Sequence, residues 1–226
     1  MTTRSYNQYC PLAYALDLVG ERWTLLIVRE LLAGPHRFKD LIAGLPGIST
    51  NLLTDRLKSL EEQGLIHRHV LPPPAGSTVY ELTAAGQGLE PAVLELGRWG
   101  ARLLPPTLEG NTLPSVGSCA LRIKAFFRPD QARAINETYE WHLGTEVLQV
   151  QIKAGELYVQ QGQALKADVI FHTDMPSYLG VFSGQLTPDE AVARGLVRIA
   201  GDPGALRRFL NACGLPGAPE AGAGVP

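Results

Sequence analysis

The sequence predicts an α+β protein of two domains: a mainly helical N-terminal half carrying one strand pair, and a C-terminal half of mixed α/β construction. Three observations carry this. Helical periodicity dominates the first 104 residues. The segment LPPTLEGNTLPSVGS then interrupts every apolar pattern with Pro, Gly, Ser and Thr. Beyond it, short runs alternate apolar and polar residues between well-marked helix starts. The expected boundaries are a domain over 1–104, a linker over 105–117, a second domain over 118–213 and a disordered tail over 214–226, where GLPGAPEAGAGVP offers only small residues and prolines.

In chain order, CPLAYALDLVG reads as a helix closed near Gly20. RWTLLIVRELLAGP is the second helix; Leu25, Leu26, Val28, Leu31 and Leu32 make it apolar on most faces, so a central, buried position is expected. Gly34-Pro35 stops it. RFKDLIAGLPG is a short third helix with Phe38, Leu41 and Ile42 facing inward, ended by Gly44 and Pro46.

The most informative stretch is GISTNLLTDRLKSLEEQGLIHRHV. Ser49 is a good N-cap, because its hydroxyl can accept from the unpaired N–H groups of the first turn. Leu53, Leu57 and Leu60 recur at i, i+4 and i+7, the apolar stripe of a helix that Leu52 widens and Gly64 ends. Thr50, Asn51, Thr54 and Lys58 fall on the opposite face, with Asp55 and Arg56 at its flanks. LIHRHV and TVYELT alternate on either side of the turn PPPAGS and form a hairpin. TAAGQGLEPAVLELGRWGARLL returns to helix, with Leu89, Val93, Leu96, Trp99 and Leu103 along one side.

Helix, helix, short helix, helix, hairpin, helix is the order of a winged helix-turn-helix. In that frame the exposed row has a physical use: Asn and Thr side chains on a helix in the major groove can hydrogen-bond base edges. Ser49, Thr50, Asn51, Thr54, Arg56 and Lys58 are therefore candidate DNA contacts. Arg37 and Lys39 at the start of the third helix join them, as do His67, Arg68 and His69 on the hairpin, where a basic strand suits phosphates. The partner expected is a double-stranded DNA operator. His67 and His69 share one strand face and could pair on a metal ion, but no third ligand is evident beside them, so no metal is expected.

In the second half, CALRIKAFF, VLQVQIK, ELYVQ and ADVIFHT read as strands of a half-buried sheet. Thr187-Pro188-Asp189-Glu190 is a capping box with Pro at the first helical position; Asp202 caps the last helix, whose buried stripe is Leu206, Phe209 and Leu210. Tyr139, Trp141, Tyr178 and Phe182 are either plain core or the lining of a ligand cavity. Glu137 and Glu140, read at helical spacing, form a solvated acidic pair.

Several separate motifs also carry a resemblance. CPLAYALDLVGERWTLLIVRELLAGPHRFKDL, LPGISTNLLTDRLKSLEEQGLI, VYELTAAGQGL and LGRWG resemble the HxlR family of bacterial transcriptional regulators over about residues 9–104. The resemblance implies a homodimer built partly on the terminal helices, and a Cys near the N-terminus, here Cys10, that serves some members as a redox or electrophile sensor. GERW departs from the family's usual two glycines and a lysine before the Trp. ADVIFHTDMPSYLGVFSGQLTPDEAVARGLVRIAGDPGALRRFL resembles the sterol-carrier-protein type 2-like fold, which implies an apolar cavity and a hydrophobic small-molecule effector.

Composition limits the alternatives. The chain has 45% hydrophobic and 19% charged residues and a net charge of −2, an ordinary globular balance that argues against strong non-specific nucleic-acid binding but not against a site-specific binder. Its 3 cysteines are too few and too scattered for a disulfide framework. No apolar run spans a bilayer and the start MTTRSYNQYCP has no apolar signal segment, so a cytoplasmic protein without membrane attachment is expected. No nucleophile–base pair, phosphate-binding glycine loop or metal set appears; neither enzymatic activity nor a cofactor is expected. The competing expectation is a hydrophobic-ligand carrier that uses its helix-turn-helix half only to dimerise.

Overall fold

The computed structural model describes residues 5–72, 76–104 and 112–213, and the chain divides into two compact units, Met1–Pro105 and Pro106–Pro226. The middle of the expected PPPAGS turn, part of the expected linker and the expected tail lie outside the described residues.

In the first unit, α1 (Pro11–Val19), α2 (Thr24–Leu31), α3 (Phe38–Gly44) and α4 (Thr50–Glu62) precede a hairpin of β1 (Ile66–Val70) and β2 (Thr78–Leu82), followed by α5 (Ala84–Gln87) and α6 (Glu90–Ala101). α2 buries Ile27, Val28 and Leu31, but Leu26 is 40% exposed. The helix is thus buried on most faces, as its leucines suggested, with Leu26 its one exposed residue. Its Glu30 carboxylate is buried and paired with Arg29, which also reaches the Gly44 carbonyl at 3.4 Å, tying α2 to the end of α3. A buried charge is tolerable in such a setting because it is paired.

α4 begins where Ser49 Oγ accepts the Leu52 N–H at 3.2 Å. Burial of Leu53, Leu57 and Leu60 fixes the helix to the core, each contributing about 1.5–3 kcal/mol. β1 and β2 pair antiparallel with Ile66 opposite Leu82 and His67 opposite Glu81. His36 adds a third short rung: its N–H donates to the Tyr80 carbonyl at 3.0 Å and its carbonyl accepts the Tyr80 N–H at 2.8 Å. Gly86 in TAAGQG is required by contact, since a Cβ there would lie 2.0 Å from the Leu65 carbonyl oxygen.

The single helix expected after the hairpin is two, α5 and α6. Pro91 stands in the first turn of the second; lacking an N–H, it cannot bond back to the Gln87 carbonyl, and the first helix ends before it. Of the stripe expected to pack, Val93 is buried while Leu96, Trp99 and Leu103 are 52%, 59% and 66% exposed.

The second unit runs α7 (Val116–Phe126), α8 (Pro129–Ala132), β3 (Asn136–Leu143), β4 (Glu146–Lys153), β5 (Glu156–Gln161), β6 (Val169–Thr173), α9 (Met175–Phe182), α10 (Pro188–Ala193), β7 (Val197–Ala200) and α11 (Ala205–Ala212). The sheet order is β5-β4-β3-β6-β7; β3 and β6 are parallel, the other pairs antiparallel. CALRIKAFF, expected as a strand, is helix. Val116, Cys119, Ala120 and Ile123 form a buried i, i+3, i+4, i+7 stripe, and Ser115 caps it by accepting the Ser118 N–H at 3.1 Å. Arg122 and Lys124 imitate strand alternation but simply lie off that stripe. The helix also takes in residues 116 and 117, which were expected in the linker.

β3 was not expected as a strand. Glu137 and Glu140 are therefore not a helical acidic pair: alternation sends them to opposite faces. Glu140 is buried, bonding His142 Nε2 and the Ala164 N–H, each at 2.8 Å. The Thr187 capping box forms as expected, with the hydroxyl accepting the Glu190 N–H at 3.2 Å. Asp202 instead accepts the Gly204 N–H at 2.9 Å in the turn before α11, whose N-cap is Gly204.

Candidate functional site

α3, the turn at Gly47 and α4 place one polar helix face outward. Thr50, Asn51, Thr54 and Lys58 are all exposed on it. The Asn51 side chain has no hydrogen-bond partner among the described residues, so its amide is free to donate and accept. Thr54 Oγ1 donates to the Thr50 carbonyl at 2.8 Å, which orients its oxygen and leaves lone pairs outward. Lys58 lies 3.7 Å from Glu62, a fully solvated i, i+4 pair of little energetic weight. Ser49 is engaged as the cap.

Arg56 stands apart from this row. Its Nη2 meets Glu21 Oε2 at 2.9 Å and its Nε reaches the Arg22 carbonyl at 3.3 Å. It fastens α4 to the turn before α2, where Trp23 holds a left-handed φ of 79°. No local pattern points to that partner, 35 residues away. Lys39 is exposed at the start of α3, while Arg37 is half-buried as its N-cap residue, with Asp40 Oδ2 accepting its N–H at 3.2 Å.

On the hairpin, alternation separates Arg68 from the two histidines. Arg68 is exposed and has no ion pair among the described residues. His67 and His69 share the other face with Glu81, whose Oε2 lies 3.5 Å from His67 Nε2 and 3.7 Å from His69 Nδ1. Glu81 is the residue the sequence reading missed: it lies on the second strand of the hairpin, and only the register puts it opposite His67.

Cys10 is exposed at the N-terminal end of α1. Beside it on the surface of the same helix stand Leu12 and Tyr14, 67% and 65% exposed, and the preceding Tyr9 is uncovered. Leu96 and Trp99 of α6, and Leu103 just beyond it, are likewise large apolar side chains that the unit leaves in water; where such groups adjoin they mark an interaction surface.

In the second unit, Tyr139, Trp141, Tyr178 and Phe182 are brought together at 0–2% exposure. Trp141 packs on Phe171 at 4.3 Å between ring centroids and edge-on to Tyr178 and Phe182 at 5.4 and 5.6 Å; Phe209 closes the group. Burial first, then the hydrogen bond to Glu137, holds the Tyr139 phenol far above its usual range. Glu137 is itself paired with Arg208 at 2.6 Å. The Trp141 indole N–H meets no protein acceptor, an unusual state for a buried donor.

The fold and the exposed α4 face define a winged helix-turn-helix protein joined to a second α/β unit. Residues 18–107 match the HxlR-like helix-turn-helix family and residues 122–213 match the SCP-2 sterol transfer family. The HTH-type transcriptional regulator YvaP of Bacillus subtilis is 36% identical over 102 residues, covering 45% of this chain and 94% of that protein. The HTH-type transcriptional regulator YodB of the same organism is 37% identical over 101 residues, covering 44% and 90%. Among solved structures, the reduced form of YodB is 36% identical and covers 44% of this chain and 99% of that one, with a TM-score of 0.38. The chain belongs to the HxlR-like helix-turn-helix family and is a transcriptional regulator of that type, extended by an SCP-2 domain. Among the described residues, no helix is long and apolar enough to cross a membrane.

Proposed function

We propose that this regulator binds a palindromic operator as a homodimer and that a hydrophobic small molecule held by the second unit modulates the binding. The observation that carries the reading is the α4 face: an N-capped helix whose buried leucines hold Thr50, Asn51 and Thr54 outward with an unengaged amide at its first turn. Asn51 is the base reader, a role its two-sided amide suits. Ser49, Lys58, Arg37, Lys39, Arg68, His67 and His69 anchor phosphates. Arg56 acts indirectly, by fixing α4. The exposed apolar residues of α1 and α6 form the dimer contact. In the SCP-2 unit the ligand takes its place among Tyr139, Trp141, Tyr178 and Phe182, with the unpaired Trp141 N–H as its polar hook.

A gel shift of the full chain on its own upstream DNA at moderate salt tests the DNA reading, with sedimentation of the same sample reporting the dimer. A retarded band that a palindromic fragment competes for is expected. A dimer that retards no DNA at micromolar concentration would favour the carrier reading suggested by the SCP-2 match. The effector reading is tested by reciprocity: a hydrophobic ligand that shifts operator affinity by about 1–3 kcal/mol must have its own affinity shifted equally by operator DNA.

A further inference from the structure

Among the described residues, His67, His69 and Glu81 are a group whose donor atoms, one from each, all lie within 4.8 Å of one another. We propose that these three side chains form a binding site for a zinc-class divalent transition-metal ion, clipping β1 to β2 on the wing.

The backbone dictates the arrangement. His67 and His69 are two apart on β1 and so share a face, and Glu81 is the direct cross-strand partner of His67. Two edges of the donor triangle measure 3.5 and 3.7 Å. Tetrahedral coordination with bonds of about 2.0–2.2 Å separates ligand atoms by roughly 3.4 Å, so small rotations of exposed side chains suffice and the strands need not move.

The group is poorly explained as an ion pair. Both contacts to Glu81 exceed a good hydrogen bond. The imidazoles stack with centroids 5.2 Å apart and planes 23° apart, an arrangement two protonated rings would resist. His69 Nδ1 is shut off from solvent without a hydrogen-bond partner, although its side chain as a whole is 35% exposed. A metal ion accepts that lone pair and neutralises the carboxylate. Two imidazole nitrogens and one carboxylate oxygen suit zinc, copper, nickel or iron; calcium and magnesium prefer sets composed of oxygen. The fourth position faces solvent and takes water. With the ion bound, His67 and His69 would meet phosphates through the metal and not as free imidazoles; the site itself does not depend on the DNA-binding reading.

The test uses the full chain after chelator treatment. Zn2+ is titrated by calorimetry, and Co2+ by the visible absorption that tetrahedral coordination produces. One equivalent per chain is expected, unaffected by excess Mg2+. His67→Ala, His69→Ala and Glu81→Gln should each weaken binding by more than about 100-fold, beyond the roughly 10–100-fold typical of losing an outer hydrogen-bond partner. Cys10→Ser should leave affinity unchanged and so separates the wing from binding at the exposed thiol. Glu81→Gln keeps the side chain's size, and unchanged circular dichroism secures the comparison. Absence of stoichiometric binding, undiminished binding in His67→Ala and Glu81→Gln, or loss on Cys10→Ser would each overturn the proposal.

Discussion

The two units spend their large apolar side chains differently. The first leaves Leu12, Leu96, Trp99 and Leu103 more than half exposed and holds its core with small helical stripes such as Leu53, Leu57 and Leu60. The second gathers Tyr139, Trp141, Phe171, Tyr178, Phe182 and Phe209 into one cluster at 0–2% exposure. Apolar surface costs free energy in water, and where it is contiguous it is a surface that another molecule can cover. The unit that buries its aromatics has its integrity, and any ligand site, in the same residues.

The largest effect should come from the aromatic cluster. Trp141→Ala removes the side chain at its centre and should destabilise the second unit by about 3–5 kcal/mol. Hydrogen exchange should show protection falling across 116–213 and holding in the α4 core. Trp141→Phe sharpens the point, because it keeps an aromatic ring in the cluster while removing the unpaired N–H and the rest of the indole; it should cost clearly less than Trp141→Ala. Equal losses for the two variants would show that the ring retained in Phe adds nothing to the packing of the cluster.

The first unit's weak point is a backbone contact and not a large side chain. Gly86→Ala would drive a Cβ against the Leu65 carbonyl oxygen and to 2.9 Å from Leu82 Cδ2. Backbone cannot yield as a side-chain tip does, so a loss of about 1–3 kcal/mol is expected by denaturant titration. A neutral Gly86→Ala would mean that α5 shifts freely relative to the hairpin.

These contrasts explain what could be read in advance. Legible features were local: Ser49 and its leucine stripe, the hairpin alternation, the Thr187 capping box. Each is a short-range pattern with its cause inside it. The failures lay where tertiary contacts decide. CALRIKAFF alternates as a strand does, yet Ser115 and the 116-119-120-123 stripe make it a helix. Glu137 and Glu140 looked like a helical pair until sheet pairing sent them to opposite faces. Arg56 lay on the flank of the DNA-reading face by helical position, but Glu21 holds it from 35 residues away. Glu81 became a neighbour of His67 only through strand register. Of the proposed site, the row of residues on α4 was visible and its partners were not.

Next in size are the effects on DNA. Asn51→Ala should weaken operator binding by about 1–3 kcal/mol and relax the preference at one base position. Arg68→Ala should weaken operator and random DNA alike and reduce the salt slope by about one. Anisotropy titrations on both DNAs at several salt concentrations separate the two. Identical behaviour would break the division of labour between helix and wing.

The smallest effect expected lies on the polar face of the second unit's sheet, away from the aromatic cluster. His172 of β6 is flanked by His142 of β3 and Arg198 of β7, its direct cross-strand neighbours. Desolvation first, then the charges of His142 and Arg198, lower its pKa below 6.5, while Glu140 opposes the shift. The folded chain therefore binds this proton less readily than the unfolded chain. The stability this spares is fully present above the unfolded pKa and is lost as pH falls from about 6.5 through the lower folded value. Solvent screens part of the effect, because the side chain is only half-buried. His172→Asn removes the titrating group and keeps a polar side chain on the strand. Unfolding titrations at about pH 7.5 and pH 5.5 should show a smaller acid-induced loss in His172→Asn than in the wild type. An equal or greater loss in the variant would mean that the acid sensitivity of this unit arises elsewhere, and that the row formed by His142, His172 and Arg198 is energetically indifferent to its charge.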